Sequence, residues 1–87
     1  MSRVLVTGAN RGIGAACALA FARQGARVAL ADIRLPQDTA AAAQAAGAAE
    51  VVSLSCDVSD AASVAALGAS IDATFGGLDV LVHCAGI

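Results

Sequence analysis

Short runs of β-type apolar residues alternate along this chain with longer stretches of helical character, and no other feature narrows its fold so far. Arg3–Thr7 carries Val4-Leu5-Val6 and runs into a glycine, as suits a strand covered on both faces of a parallel sheet. From Ile13 the period becomes helical: Ile13, Cys17, Ala20 and Phe21 share one face, which predicts them to point inward, and Gly25 ends the helix. Val28-Ala29-Leu30-Ala31 is a second strand, closed by Asp32. Pro36 opens a second helix at its first position, where its missing N–H costs nothing, and Gly47 ends it. That helix is rich in alanine and has almost no apolar stripe, so it is expected to lie only loosely against the sheet. Val51–Ser55 mixes apolar and polar residues, as a strand nearer a sheet edge does. Ser59 is the expected N-cap of a third helix whose buried face is Val64, Leu67, Ile71 and Phe75, ended by Gly76-Gly77. Asp79–Cys84 is a fourth strand.

The order β-α-β-α-β-α-β with short connections points to right-handed crossovers and an open, doubly wound parallel sheet, partial at four strands and three helices. The strand order expected for such a sheet is 3-2-1-4. The fourth strand would then lie at an edge with unpaired N–H and C=O groups, so residues 1–87 are expected to be the N-terminal part of one larger domain. A thin core points the same way, because 24 residues are alanine and only two are aromatic.

Composition removes several classes of function. The net charge of −2, with scattered arginines and no lysine, speaks against a nucleic-acid surface. The longest apolar run, Ala15–Ala22, falls far short of the roughly 20 residues that cross a bilayer, so no membrane partner is expected. The opening residues lack the long apolar core of a signal peptide. Cys17, Cys56 and Cys84 form no CxxC pair, and the single His83 adds no second ligand at metal-binding spacing, so no metal site is expected. In the expected order Cys56 and Cys84 stand about 14 Å apart, three strand spacings, beyond the about 7 Å that a disulfide spans. Cys17 is expected to face inward as a small filler. Reduced thiols fit a cytoplasmic protein.

The most informative segment is Thr7-Gly8-Ala9-Asn10-Arg11-Gly12-Ile13-Gly14, between the first strand and the first helix. One glycine turns the chain sharply off the strand, one lets backbone approach a pyrophosphate, and a third lets the helix pack closely. The helix then aims its unpaired N–H groups and positive dipole end at the phosphates. The spacing is G-x-x-x-G-x-G, and no Gly-Lys-Ser/Thr of a Walker loop occurs. Asp32, at the end of the second strand, can accept bonds from both adenosine ribose hydroxyls and repel a 2′-phosphate, which favours NAD over NADP. Arg11 and Arg34 argue the other way, since a guanidinium there can hold that phosphate. Asp32 read as an ordinary turn or cap residue is the plainer alternative.

With these residues in view the chain resembles the N-terminal, coenzyme-binding part of the short-chain dehydrogenase/reductase family, whose domain is Rossmann-like. Thr7-Gly8-x-x-x-Gly12-Ile13-Gly14 is similar to that family's coenzyme motif in spacing and placement, and Asp32 to its acidic position. Cys56-Asp57-Val58 is similar to its Asp-Val step. The resemblance implies that Asp57 bonds the adenine amino group while Val58 packs on the ring; a turn aspartate before a helix is the alternative. His83-Cys84-Ala85-Gly86 stands where the family usually has Asn-Asn-Ala-Gly, so two side-chain amides are lost there. Backbone of Cys84 and Ala85 would still reach the cofactor ribose, with Gly86 keeping the approach open. His83 is expected to be a packed, hydrogen-bonded histidine on a buried strand end and not a base.

The resemblance implies an NAD(P)-dependent oxidoreductase acting on an alcohol or carbonyl substrate by hydride transfer. The family's tyrosine acid/base and lysine, in the pattern Tyr-x-x-x-Lys, have no counterpart in this chain, which contains neither residue type. The 87 residues alone are therefore expected to be inactive, with no catalytic residue among them. A non-catalytic nucleotide-binding or interaction module is the second reading; a Ser and Tyr-x-x-x-Lys further along the coding sequence separates the two. The family is often dimeric or tetrameric, which leaves a homo-oligomer open.

Overall fold

The structure, a computed structural model, describes residues 2–10 and 12–84. Its elements run β1 (Arg3–Thr7), α1 (Gly12–Arg23), β2 (Arg27–Asp32), α2 (Gln37–Ala46), β3 (Glu50–Ser55), α3 (Ala61–Phe75) and β4 (Val80–His83). The strands form one parallel sheet in the order β3-β2-β1-β4, with Val4 opposite Val28 and Val80, and Arg27 opposite Glu50. This is the expected Rossmann-like α/β arrangement, and β3 lies at an edge as its mixed sequence predicts.

Successive strand residues point to opposite faces, so each central strand feeds two cores. Val4, Val6, Val28 and Leu30 meet Ala18 and Ala22 of α1 and Ala43 of α2 on one side. Leu5, Ala29, Ala31 and Cys56 meet Leu67, Ile71 and Phe75 of α3 on the other. Size is complementary across both layers: the face with large strand residues takes alanine-lined helices, and the alanines of β2 make room for the bulky stripe of α3. β1 and β2 are buried almost throughout, whereas β4 alternates between half-buried and exposed positions, with Leu81 58% exposed.

The buried face of α1 differs from the expected one. Gly14, Ala18 and Ala22 face the sheet, while Ile13 is 67% exposed, Ala20 is exposed and Cys17 is half-buried; Phe21, also half-buried, packs against the core as expected. The cause lies at Gly14, where a Cβ would strike the Gly8 carbonyl, 2.9 Å from its carbon. Only a glycine permits that contact, and it sets the rotation of the whole helix. Residues four and eight further on then face inward too.

Smaller differences occur at helix starts. Asp60, not Ser59, caps α3: its carboxylate accepts the Ala62 N–H at 3.1 Å. Val64, expected on the buried face of α3, is 44% exposed. Pro36 is the residue before α2 rather than its first, and its side chain is fully buried. As expected, α2 buries little, only Thr39 and Ala43. The three cysteines are free, and the strand order puts Cys56 and Cys84 beyond opposite edges of the sheet.

At the amino ends of β1 and β4, the Arg3 guanidinium grips Asp79 with two donors at 3.1 Å each, and the Arg3 N–H adds a third bond at 2.8 Å. Asp79 returns its own N–H to the Arg3 carbonyl at 2.9 Å. Those bonds hold the Asp79 carboxyl down at about 2.

Candidate functional site

All four strands are parallel, so their carboxyl ends share one rim of the sheet, and the chain order reverses between β1 and β4. A crevice above that reversal is where an open α/β sheet binds ligands. The glycine loop leaves β1 at this point. Gly8 and Gly12 take φ of 69° and 56°, a left-handed backbone that side chains disfavour, and nothing lies within 4 Å of where a Cβ on Gly12 would stand. The loop leads into the start of α1, whose first N–H groups have no partner within the helix, as at the N-terminus of any helix.

Asp32 ends β2 beside this loop. Its Oδ2 accepts the Asn10 N–H at 3.0 Å and its Oδ1 accepts the Ile33 N–H at 2.7 Å. Each oxygen retains acceptor capacity, so the carboxylate is oriented without being used up. The bend that follows is held from two directions: Asn10 Nδ2–H donates to the Arg34 carbonyl at 2.7 Å, and Ser55 Oγ–H donates to the Ile33 carbonyl at 2.8 Å. Together Asn10, Asp32, Ile33, Arg34, Leu35, Gln37 and Asp38 line a cleft of about 610 Å³. Asp32 thus lines this cleft at the carboxyl end of β2.

Asp57 reaches the same rim through Cys56, whose N–H donates to the Asp32 carbonyl at 2.8 Å. Its Oδ1 accepts the Ser59 hydroxyl at 2.6 Å and the Ser59 N–H at 3.0 Å, and those bonds hold its carboxyl below the usual carboxylate range. The turn role foreseen as the alternative is therefore present. Val58 beside it is 38% exposed. On the far side of β1, Cys84 donates its N–H to the Thr7 carbonyl at 3.1 Å, so that amide is already taken within the sheet. His83 Nδ1 lies 2.8 Å from Thr7 Oγ1. The histidine is hydrogen-bonded as expected, but it is exposed, because an edge strand covers only part of its side chains.

Of the sequence-predicted site, Gly8, Asn10, Gly12, Gly14, Asp32, Asp57, Val58 and Cys84 gather along this rim. Ile13 is there too, but it points outward instead of into the core. Arg11, Ala85 and Gly86 lie outside the described residues. Sequence reasoning missed Thr39, a buried hydroxyl that donates to the Ala9 carbonyl at 2.8 Å. The available signal was a lone hydroxyl in an otherwise alanine-rich helix. Among the described residues there is no group of His, Cys, Asp or Glu that could hold a metal ion, and no helix is long and apolar enough to cross a membrane.

Comparison with known proteins places this geometry. The family model described as enoyl-(acyl carrier protein) reductase matches residues 8–87. Galactitol 2-dehydrogenase of Agrobacterium fabrum is 47% identical over 83 residues, covering 95% of this chain and 32% of that protein. The short-chain reductase protein NovJ of Streptomyces niveus is 46% identical over 89 residues, covering 99% of this chain and 33% of its own. The crystal structure of a hydroxysteroid dehydrogenase from Escherichia coli superposes with a TM-score of 0.89 at 28% identity, over 94% of this chain and 35% of that one. The chain thus spans about a third of the length of the curated relatives it matches. Matching motif, sheet order and relatives together, the chain belongs to the short-chain dehydrogenase/reductase family of oxidoreductases.

Proposed function

We propose that these residues are the coenzyme-binding portion of an NAD(P)-dependent oxidoreductase that interconverts an alcohol and a carbonyl, with NAD preferred. The observation that carries this reading is Asp32, oriented by two backbone N–H groups at the mouth of a cleft that opens beside the glycine loop. Bound there, the dinucleotide would supply the nicotinamide that gives or takes a hydride. The chain's own residues would do the holding. Amides at the Gly12–Gly14 start of α1 would meet the diphosphate, and Asp32 would accept bonds from the ribose hydroxyls. Asp57 and Val58 would bracket the adenine, and the carbonyl of Cys84 with Ala85 and Gly86 would line the second ribose.

The charge of the cleft supports NAD. Among the described residues, Asp32 and Asp38 line it against the guanidinium of Arg34, so a 2′-phosphate would meet two carboxylates. The names of relatives fit a CH–OH substrate, since galactitol and hydroxysteroids both carry secondary alcohols. Proton transfer to or from the substrate would fall to residues outside this chain, which has no tyrosine or lysine.

The test is calorimetric titration of NAD and NADP into the protein as its gene encodes it. NAD is expected to bind the more tightly. Asp32→Ala is expected to narrow the NAD/NADP ratio by about tenfold or more, the scale of losing bonds to a charged acceptor. An unchanged ratio would mean that Asp32 does not hold the ribose.

A further inference from the structure

Thr39 stands in the first turn of α2, 6% exposed, among alanines. A helical threonine can turn its hydroxyl back to the carbonyl three or four residues earlier. This one instead donates to Ala9, 30 residues away in the glycine loop, at 2.8 Å. Ala9 is itself fully buried, and its N–H is bound to the Ala31 carbonyl at 3.1 Å. The residue between Gly8 and Asn10 is therefore fastened on one side to β2 and on the other to α2. Neither neighbour can shift independently: Gly8 carries the carbonyl that sets the fit of Gly14, and Asn10 carries the N–H that orients Asp32.

We infer that Thr39 is a positioning residue for the diphosphate grip, acting through Ala9 and touching no ligand itself. The role deepens the dinucleotide reading above and rests on it. Its hydroxyl fixes the height of the loop over α2, so that the loop amides stand ready before the ligand arrives. Without the hydroxyl, part of the binding free energy goes into ordering the loop. Ligands that use the diphosphate lose most, and those that reach only the Asp32 cleft lose little.

The experiment titrates NAD and adenosine, which lacks the diphosphate, into wild type, Thr39→Val and Thr39→Ser, each well below its melting temperature. Thr39→Val keeps the shape and removes the donor; Thr39→Ser keeps the donor and removes the methyl. Thr39→Val is expected to weaken NAD about tenfold, the scale of one lost bond at a buried carbonyl, and adenosine less than about twofold. Thr39→Ser is expected to bind NAD within about twofold of wild type. Thr39→Val that binds NAD like wild type overturns this role alone, as does Thr39→Ser weakened equally or adenosine weakened as much as NAD. Wild type that binds no NAD overturns the reading of the site, and this role with it.

Discussion

At the level of single residues, Gly14 decides more of this structure than any large side chain. Its missing Cβ lets α1 start against the Gly8 carbonyl, and that contact turns Ala18 and Ala22 inward and Ile13 outward. Gly14→Ala is expected to destabilise the fold by about 1–3 kcal/mol, the usual cost of forcing an atom into a filled space. Thermal or urea unfolding measures it, and an unchanged midpoint would show that something other than Gly14 fixes the rotation of α1. Asp32 is the opposite kind of residue: its place at the end of β2 is legible from the sequence alone. The two N–H groups that orient it are not, because one of them belongs to Asn10, 22 residues earlier.

Among the elements, α3 shows how a local signal can mislead by one residue. Ser59 and Asp60 are both good capping residues, and the sequence does not rank them. The structure gives Ser59 to Asp57, whose carboxylate takes both its hydroxyl and its N–H, and this leaves Asp60 for the Ala62 N–H. Asp60→Ala is therefore expected to cost about 1 kcal/mol of stability through the lost cap. Ser59→Ala is expected to act chiefly on Asp57, raising its pKa toward the ordinary carboxylate value, as NMR titration of the carboxyl carbon would record. If Ser59→Ala proved the more destabilising, the assignment of the cap would be reversed. The buried stripe of α3 is legible at Leu67, Ile71 and Phe75 because large residues recur at the helical period. That of α1 is not, because alanine and glycine carry almost no periodic signal.

For the molecule as a whole, the Arg3–Asp79 cluster closes the sheet at the rim opposite the site, joining β1 to β4 across 76 residues of chain. Asp79 has its carboxyl held at about 2 in the fold, against an ordinary value near 3.8. A depressed carboxyl contributes stability that is fully present above the unfolded value and is lost as pH falls toward the folded one. Wild type is expected to lose this contribution between about pH 4 and pH 2. Asp79→Asn is expected to be less stable at pH 7 and to show a shallower fall across that window. Melting curves at several pH values decide this, and parallel slopes for the two proteins would count against the cluster.

The alternation of strands and helices, the glycine loop and the acid that ends β2 were all determined by the sequence itself. Each rests on a local preference: apolar β-type runs, residues that tolerate a left-handed backbone, and a carboxylate directly at a strand end. Tertiary structure alone decided which face α1 buries, which residue caps α3, and that the hydroxyl of Thr39 holds the loop at Ala9. Those choices are made between segments far apart in the chain, where one close contact or one buried hydrogen bond outweighs any preference that a residue has by itself.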